Sequence, residues 1–343
     1  MKKLIIGIVA LALFLTACTK EEETTAGIAT VEELRLLGSV NPDANFQNTG
    51  NFDLNLLALD ANDNVIQLSG SQIDMILDSV VTPTKDTTYQ IIIRDVTFVQ
   101  PSSGGKIKVG ILLDSSGSMD WNDPYYVRRD AARDFIELLL QNSTSHKVGI
   151  FDFAGGYGDA NGDGIDDYYL RVLQDFVYVS DTTALFAALD SVTASGGTPL
   201  YLSLWYLLDH VHNNLEAGYG HAILVLTDGE DNESDNITSD SVITKALNYQ
   251  IPIYAIGLGD TSYIDFTELQ RVASQTGGVY ANASDANALT QIFNSMGLGL
   301  SQGYNRIAAK ISPVPPSGSG IWGRVRATSG GKTAETGWSF TAP

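Results

Sequence analysis

Charged residues and cysteine are both scarce in this chain of 343 residues. Only 17% of the residues are charged, and acidic residues outnumber basic ones by 40 to 20, which gives a net charge of −20. This balance argues against nucleic acid or an anionic membrane surface as a partner, because both attract basic patches. The single cysteine, Cys18, excludes a disulfide within the chain, so stability must come from packing and bound ions.

Motifs for catalysis are also lacking. We find no His-Glu-x-x-His sequence, no Gly-rich phosphate loop and no convincing nucleophile–base pair. We therefore do not expect an enzyme.

The amino terminus has the pattern of a secretory signal. Lys2 and Lys3 precede an uncharged apolar run at 4–15, which is shorter than the roughly 20 residues that a membrane-spanning helix needs. The next residues, Leu-Thr-Ala and then Cys18, resemble the lipobox of bacterial lipoproteins. The resemblance implies that residues 1–17 are a lipoprotein signal peptide and that Cys18 becomes the lipid anchor. The alternative is an ordinary signal peptide with an incidental cysteine.

Residues 18–30 are polar and lack apolar periodicity, so we predict a flexible tether. Its lysine followed by acidic residues resembles the surface-export signal of lipoproteins in the Bacteroidetes lineage; a solvated spacer is the alternative. We expect the protein in the bacterial cell envelope, anchored by lipid in the outer membrane and displayed at the surface.

Two outer segments show the pattern of short β-strands. Residues 31–103 alternate between apolar and polar positions and are divided by turn clusters, as in an antiparallel β-sandwich. Residues 303–343 contain three further strand patterns but are too few for a separate domain. We predict one discontinuous, all-β, immunoglobulin-like sandwich formed by both segments. Two independent β units are the alternative.

The segment 106–300 between them alternates between strand and helix patterns. Apolar runs that end in polar clusters are typical of buried parallel strands, and apolar residues every three or four positions are typical of helices. We predict strands near 107–113, 148–153, 176–179, 222–226 and 253–256, and helices near 125–140, 182–192, 199–214, 240–249, 264–275 and 285–297. This order predicts an α/β domain with a doubly wound, mostly parallel, Rossmann-like sheet.

Oxygen-bearing side chains are concentrated in three loops of this domain. The first strand runs into Asp-Ser-Ser-Gly-Ser at 114–118, a Gly-Gly-Thr-Pro loop at 196–199 precedes a helix, and Thr-Asp-Gly at 227–229 follows a later strand. Ligands of open α/β sheets gather beyond the carboxyl ends of the strands. We therefore expect the three loops to meet.

Together, the three loops resemble the von Willebrand factor A family and its metal-ion-dependent adhesion site, and the resemblance covers about residues 106–300. It implies Mg²⁺ or Mn²⁺, which suits hard oxygen ligands. It also implies a specific residue set, namely hydroxyl ligands from Ser116, Ser118 and Thr198, with Asp114 and Asp228 acting through water or hydrogen bonds.

Coordination by hydroxyls leaves the metal ion electron-poor, so it should seek an anionic oxygen from a partner. The resemblance therefore implies a binding protein whose protein or matrix ligand supplies an Asp or Glu carboxylate to the metal. The alternative that stays open is a structural scaffold subunit of an envelope or secretion assembly, in which the metal stabilises the fold.

A second ion site is predicted between the strands at 148–153 and 176–179. Oxygen side chains stand at positions 1, 3, 5 and 9 of this loop and glycine at position 6, as in the first part of an EF-hand loop. The spacing resembles a thrombospondin type-3 calcium loop more closely, because position 12 is a leucine. The candidate Ca²⁺ ligands are Asp159, Asn161, Asp163, Asp167 and the backbone carbonyl of Ile165. An exposed acidic turn is the alternative.

Overall fold

The computed structural model describes residues 29–82, 87–101, 105–155, 169–229, 231–234, 236–259, 265–283 and 288–343. The predicted signal peptide, Cys18 and most of the tether lie outside these ranges, as does the whole candidate Ca²⁺ loop at 159–167. No helix among the described residues is long and apolar enough to cross a membrane.

The described residues form fourteen strands and eight helices. The strands β1 to β14 are Glu33–Leu36, Asn41–Pro42, Asn51–Leu59, Ile73–Val81, Gln90–Val99, Ile107–Asp114, Lys147–Phe153, Arg171–Tyr178, Gly220–Thr227, Ile253–Leu258, Tyr280–Ala283, Tyr304–Ser312, Gly320–Ser329 and Lys332–Thr341. The helices α1 to α8 are Phe46–Thr49, Met119–Asn122, Val127–Asn142, Thr182–Asp190, Leu200–Asn213, Ser239–Tyr249, Thr267–Thr276 and Leu289–Gln302.

The central segment folds into a six-stranded sheet with the order β11-β10-β9-β6-β7-β8. All neighbouring pairs are parallel except β7 and β8. Side chains of α3, α4 and α8 share a core with one face of the sheet, and those of α5, α6 and α7 share a core with the other. The prediction of an α/β domain with a mostly parallel sheet covered on both faces is confirmed.

Several elements differ from the sequence-based expectation. Helix α8 extends to Gln302 rather than ending at 297, and the one-turn helix α2 was not predicted. The strand expected at 176–179 begins earlier, at Arg171. The sequence pattern missed its first residues because this half-exposed edge strand lacks a continuous apolar run. Strand β11 has only four residues and was not predicted. Helix α3 begins at Val127 rather than 125, since Tyr126 before it has a left-handed backbone with φ of 55°.

The outer segments form two further sheets. One has the order β1-β3-β12-β5 with β2 beside β3, and the other has the order β14-β13-β4. Strand β12 from the carboxyl-terminal segment lies between β3 and β5 and is antiparallel to both. Residues of both sheets share one hydrophobic core. Strands from the two ends of the chain therefore belong to one sheet; the immunoglobulin-like classification and the domain boundaries stay predictions.

The two-sheet unit is joined to the α/β unit by close backbone contact. The amide of Ser39 donates to the carbonyl of Tyr280 in β11, at 2.8 Å. Gly38 has φ of 80°, and a Cβ atom there would lie 2.3 Å from the same Tyr280 oxygen, so this approach requires glycine. A single residue, Gly303, separates α8 from β12. The junction lies at the amino end of β6.

Asn305 provides a test of this shared architecture. Its fully buried side chain accepts a hydrogen bond from the amide of Leu68 and donates one to the carbonyl of Ile66, both at 2.8 Å. Asn305→Ala leaves both backbone groups without this partner, so we expect the free energy of unfolding in urea to fall by about 2–3 kcal/mol. Asn55→Ala, at a half-buried asparagine on β3, serves as the control. Equal small losses for both variants would contradict this prediction.

Candidate metal site

Backbone hydrogen bonds bring two of the predicted loops together at the carboxyl end of β6. The amide of Ser195 donates to the carbonyl of Ser115 at 2.7 Å, and the amide of Gly117 donates to the carbonyl of Gly196 at 2.9 Å. Gly196 has φ of 76°, and a Cβ atom there would lie 1.5 Å from the carbonyl oxygen of Gly155. The Gly-Gly sequence thus allows three chain segments to approach closely.

Asp114 is fully buried at the end of β6. Its Oδ1 accepts a hydrogen bond from the amide of Ser116 at 2.7 Å, and its Oδ2 accepts one from the hydroxyl of Thr227 at 2.6 Å. Strands β6 and β9 are parallel neighbours, which places Thr227 and then Asp228 beside Asp114. Thr227 was not among the predicted site residues; its place directly before Asp228 was the available signal.

Asp228 accepts hydrogen bonds from the segment that follows β6. Its Oδ1 accepts a hydrogen bond from the hydroxyl of Ser118 at 2.7 Å, and its Oδ2 accepts one from the amide of Asn122 at 3.0 Å. The hydroxyls of Ser116 and Ser118 lie 3.1 Å apart. Four of the predicted residues therefore form one hydrogen-bonded cluster, and Asn122 joins it as a contact that sequence reasoning missed.

Thr198 is buried and held by the segment that follows Asp228. Its amide donates to Oδ1 of Asn232 at 2.8 Å, and its carbonyl accepts from the amide of Asn232 at 3.0 Å. A Cβ atom built on Gly229 would lie 3.8 Å from the Thr198 hydroxyl, so this oxygen faces the residue after Asp228. All five residues predicted for the metal site are thus brought to one end of the sheet.

The segment 231–234 also caps α5, the helix that begins directly after Pro199. The amide of Tyr201 donates to Asp231 at 3.1 Å, and the amide of Leu202 donates to the hydroxyl of Ser234 at 2.9 Å. Such bonds satisfy amides that have no partner within the first turn of a helix, and an acidic group there also suits the helix dipole. Capping fixes the start of α5 and with it Thr198.

A further polar chain lies behind the cluster. The hydroxyl of Ser115 donates to Oδ2 of the buried Asp152 at 2.8 Å, and Nε of Arg171 donates to Oδ1 of the same carboxylate at 2.8 Å. The residue between two predicted ligands is thereby tied to β7 and β8. Sequence reasoning did not predict this chain.

Two neighbouring buried carboxylates give the cluster an unbalanced negative charge. Burial, and secondarily the charge of Asp228, raises the pKa of Asp114 to about 6. Burial also raises the pKa of Asp228. A cation placed between them would reverse both effects, because a nearby positive charge favours the ionised carboxylate.

The donor set suits a small, hard divalent cation. Every predicted side-chain ligand presents oxygen, and in the described part of the chain no group of three or more His, Cys, Asp or Glu side chains is arranged so that it could hold a metal ion. The arrangement is therefore rich in hydroxyls and poor in carboxylates, and Mg²⁺ and Mn²⁺ accept such oxygen ligands while retaining water.

Comparison with known proteins identifies the central segment. The sequence profile of the von Willebrand factor type A domain matches residues 109–295. Calcium-activated chloride channel regulator 1 of Bos taurus is 28% identical over 188 residues, which are 54% of this chain and 18% of that protein. The match thus spans less than a fifth of that relative.

Two solved structures superpose on parts of this chain. The von Willebrand factor type A protein from Catenulispora acidiphila superposes with a TM-score of 0.48 and 12% identity, over 92% of this chain and 74% of that one. Proximal thread matrix protein 1 from the mussel byssus, solved with zinc in its MIDAS motif, superposes with a TM-score of 0.44 and 19% identity, over 62% of this chain and 50% of that one.

The raised pKa of Asp114 predicts a pH-dependent stability in metal-free protein. The folded state holds the Asp114 proton up to pH about 6, whereas an unfolded aspartate releases it near pH 4, so the free energy of unfolding should fall as pH rises through this window. We expect Asp114→Asn to remove roughly 2 kcal/mol of this fall between pH 4 and pH 7.

The measurement is urea unfolding in EDTA at several pH values. Asp74→Asn, an exposed aspartate on β4, is the control and should retain the wild-type slope. A slope that is unchanged in Asp114→Asn would show that this carboxylate does not carry the effect.

Proposed function

Because this chain belongs to the von Willebrand factor type A domain family, we propose that it binds a protein ligand through a divalent cation at the carboxyl ends of β6 and β9. The observation that carries the proposal is the hydrogen-bonded cluster in which the hydroxyls of Ser116 and Ser118 lie beside Asp228 and Asp114. These oxygens surround two buried carboxylates whose charge a cation would balance.

The roles of the residues follow from their chemistry. Ser116, Ser118 and Thr198 would hold Mg²⁺ or Mn²⁺ through neutral hydroxyls, while Asp114 and Asp228 would orient the hydroxyls and bound water. When bound, the cation supplies a positive centre for an anionic oxygen. Because the directly bound protein groups are neutral, we propose that the ligand contributes an Asp or Glu carboxylate. The proposed role is binding rather than catalysis.

We expect Asp114→Ala and Ser118→Ala each to lower the affinity for Mg²⁺ by about tenfold to a hundredfold, the usual loss when residues that support a metal site are removed. The measurement is calorimetric titration of the metal-free chain that lacks residues 1–25, with Mg²⁺, Mn²⁺ and Ca²⁺ in turn. Asp74→Ala is the control and should bind as wild type does. Ca²⁺ binding that survives Asp114→Ala and disappears in Asp163→Ala would support the proposed loop site at 159–167.

A pull-down from envelope extracts distinguishes a ligand-binding protein from a scaffold subunit. Partner capture that needs Mg²⁺ and is lost in folded Asp114→Ala supports the proposed function. Equal capture by both proteins, with Mg²⁺ raising only the melting temperature, would replace it by the scaffold role. Absence of Mg²⁺ binding by folded wild-type protein would contradict both metal roles.

We also propose that the protein is a lipoprotein of the bacterial cell envelope, anchored through Cys18. The support is the lipobox-like sequence at 15–18. Two or more acyl chains on one residue anchor a protein firmly, whereas a single chain does not. We therefore expect Cys18→Ser to abolish incorporation of an alkyne-labelled fatty acid and to move the protein out of the membrane fraction. Labelling that persists in this variant would exclude Cys18 as the attachment point.

A further inference from the structure

Two exposed aromatic side chains follow the last ligand of the Asp-x-Ser-x-Ser motif. Trp121 is 86% exposed and Tyr125 is 85% exposed, the highest values among the large hydrophobic residues of the described chain. An isolated exposed aromatic is common. These two lie three and seven residues after Ser118, in the segment that leads away from the proposed metal site.

The segment that bears these aromatics is tied directly to the site. Trp121 belongs to the one-turn helix α2, and its amide donates to the carbonyl of Ser118 at 2.9 Å. The next residue, Asn122, donates from its side chain to Asp228 at 3.0 Å. Trp121 therefore lies between Ser118 and Asn122 in the sequence, and the side chains of both of these residues contact Asp228.

A buried ion pair fixes the other end of the segment. Asp123 and Arg128 are both fully buried, and a guanidinium nitrogen of Arg128 lies 2.7 Å from the Asp123 carboxylate. Asp123 also accepts hydrogen bonds from the amides of Val127 and Arg128 at the start of α3. Removing one partner of such a pair is strongly destabilising, so the geometry of the segment is well determined.

Tyr126 shows that this geometry is maintained against local strain. Its φ of 55° is uncommon for a residue with a side chain and costs of the order of 1 kcal/mol or more. The guanidinium of Arg129 stacks over its ring, with 3.7 Å between the guanidinium carbon and the ring centroid. Trp121 and Tyr125 are thus held on a rigid segment, so little conformational entropy is lost when they contact a ligand.

Charge around the site limits what these aromatics can contact. The chain carries a net charge of −20, and Asp120 and Glu233 are exposed near the cluster. The two carboxylate oxygens of Glu233 lie against Gly155 and Gly197, beside Thr198. The two nearby guanidiniums are engaged with the protein, Arg128 with Asp123 and Arg129 with a backbone carbonyl. These acidic groups would repel a ligand that carries only negative charge, although the metal would attract its carboxylate.

We propose that Trp121 and Tyr125 receive a cationic side chain of the ligand, next to the carboxylate that binds the metal. The inference rests on the proposed function and specifies its partner: a polypeptide segment with an Arg or Lys within a few residues of an Asp or Glu. Aromatic faces attract guanidinium and ammonium groups, and the exposed carboxylate of Asp120 strengthens that preference. The cation also reduces the repulsion between the ligand and the acidic protein.

The test uses nine-residue peptides immobilised at high density, where multivalency makes weak contacts measurable. Each peptide contains one Glu and one Arg at a defined spacing in a Gly/Ser background, and a matched set replaces Arg with citrulline, its neutral isostere. Wild-type protein, Trp121→Leu, Tyr125→Leu and the double variant are applied in Mg²⁺ and in EDTA. Trp322→Leu, at a partly exposed tryptophan on β13, is the matched control.

We expect wild type and Trp322→Leu to prefer Arg over citrulline by about threefold to thirtyfold in apparent dissociation constant, the range of a cation–π contact. The preference should fall to near one in the double variant, while Mg²⁺-dependent binding of the citrulline peptides persists. Unchanged Mg²⁺ titrations would show that the variants retain the metal site.

Four outcomes would overturn the inference. Equal wild-type binding of Arg and citrulline peptides, dependent on Mg²⁺, would remove the cation subsite and leave the proposed function intact. A preference that survives in the double variant would place the subsite elsewhere. Binding of a neutral glycan array that needs Trp121 would assign the aromatics to sugar instead. Absence of Mg²⁺-dependent binding to any Glu peptide would count against the proposed function as well.

Discussion

The burial of two carboxylates at the ends of adjacent strands is the constraint around which the α/β unit is organised. Asp114 closes β6, and Asp228 follows β9, its parallel neighbour. A buried carboxylate is costly unless it is hydrogen-bonded or paired with a cation. The surrounding hydroxyls and amides meet part of that cost, but they leave the charge in place, as the raised pKa of both groups shows. A divalent cation would complete the arrangement, so the local instability and the proposed function would have the same origin.

The loops around these carboxylates fix the geometry of the site, although Asp114 and Asp228 repel each other when both are ionised. Gly196 lets one loop approach the backbone of Gly155, and Asp231 with Asn232 fixes the start of α5. Behind them, Asp152 holds Ser115, which lies between Asp114 and the proposed hydroxyl ligand Ser116. These contacts orient the oxygens that would hold a metal ion, and supporting contacts of this kind are needed for a defined metal geometry.

The sequence was sufficient to predict what depends on local pattern. Apolar runs ending in polar clusters located the buried strands, and the order of three short motifs located Asp114, Thr198 and Asp228. Contacts set by tertiary packing were not accessible. The bond from Asn122 to Asp228 joins residues 106 positions apart, and nothing in the Met-Asp-Trp-Asn segment marks it. Strand β11 has four residues, too few for a reliable periodic signal.

The position of β12 was equally hidden from local pattern. Its alternation predicts a strand, but alternation does not say which strands it joins, because pairing depends on side chains far away in sequence. The sequence-based hypothesis left one sandwich and two separate units open for this reason. The insertion of β12 between β3 and β5 follows from packing that buries Ile307 and Ala309 in a core shared with the other sheet.

If the proposed ligand binding and the proposed lipid anchor hold, the arrangement of the two units would separate recognition from attachment. The chain enters and leaves the α/β unit at one end of its sheet, near Ile107 and Tyr304, and the candidate site lies at the opposite end of β6. Eight strand residues span about 25 Å, so a ligand at the site is that far from the junction. If Cys18 is the anchor, the fifteen residues from it to β1 reach at most about 50 Å. The two-sheet unit would then stand between membrane and ligand, and its close contact at Gly38 would give the end with the candidate site a fixed direction relative to that base. A spacer that only lengthened the tether would not need such a contact, so orientation, rather than distance alone, is what this junction provides.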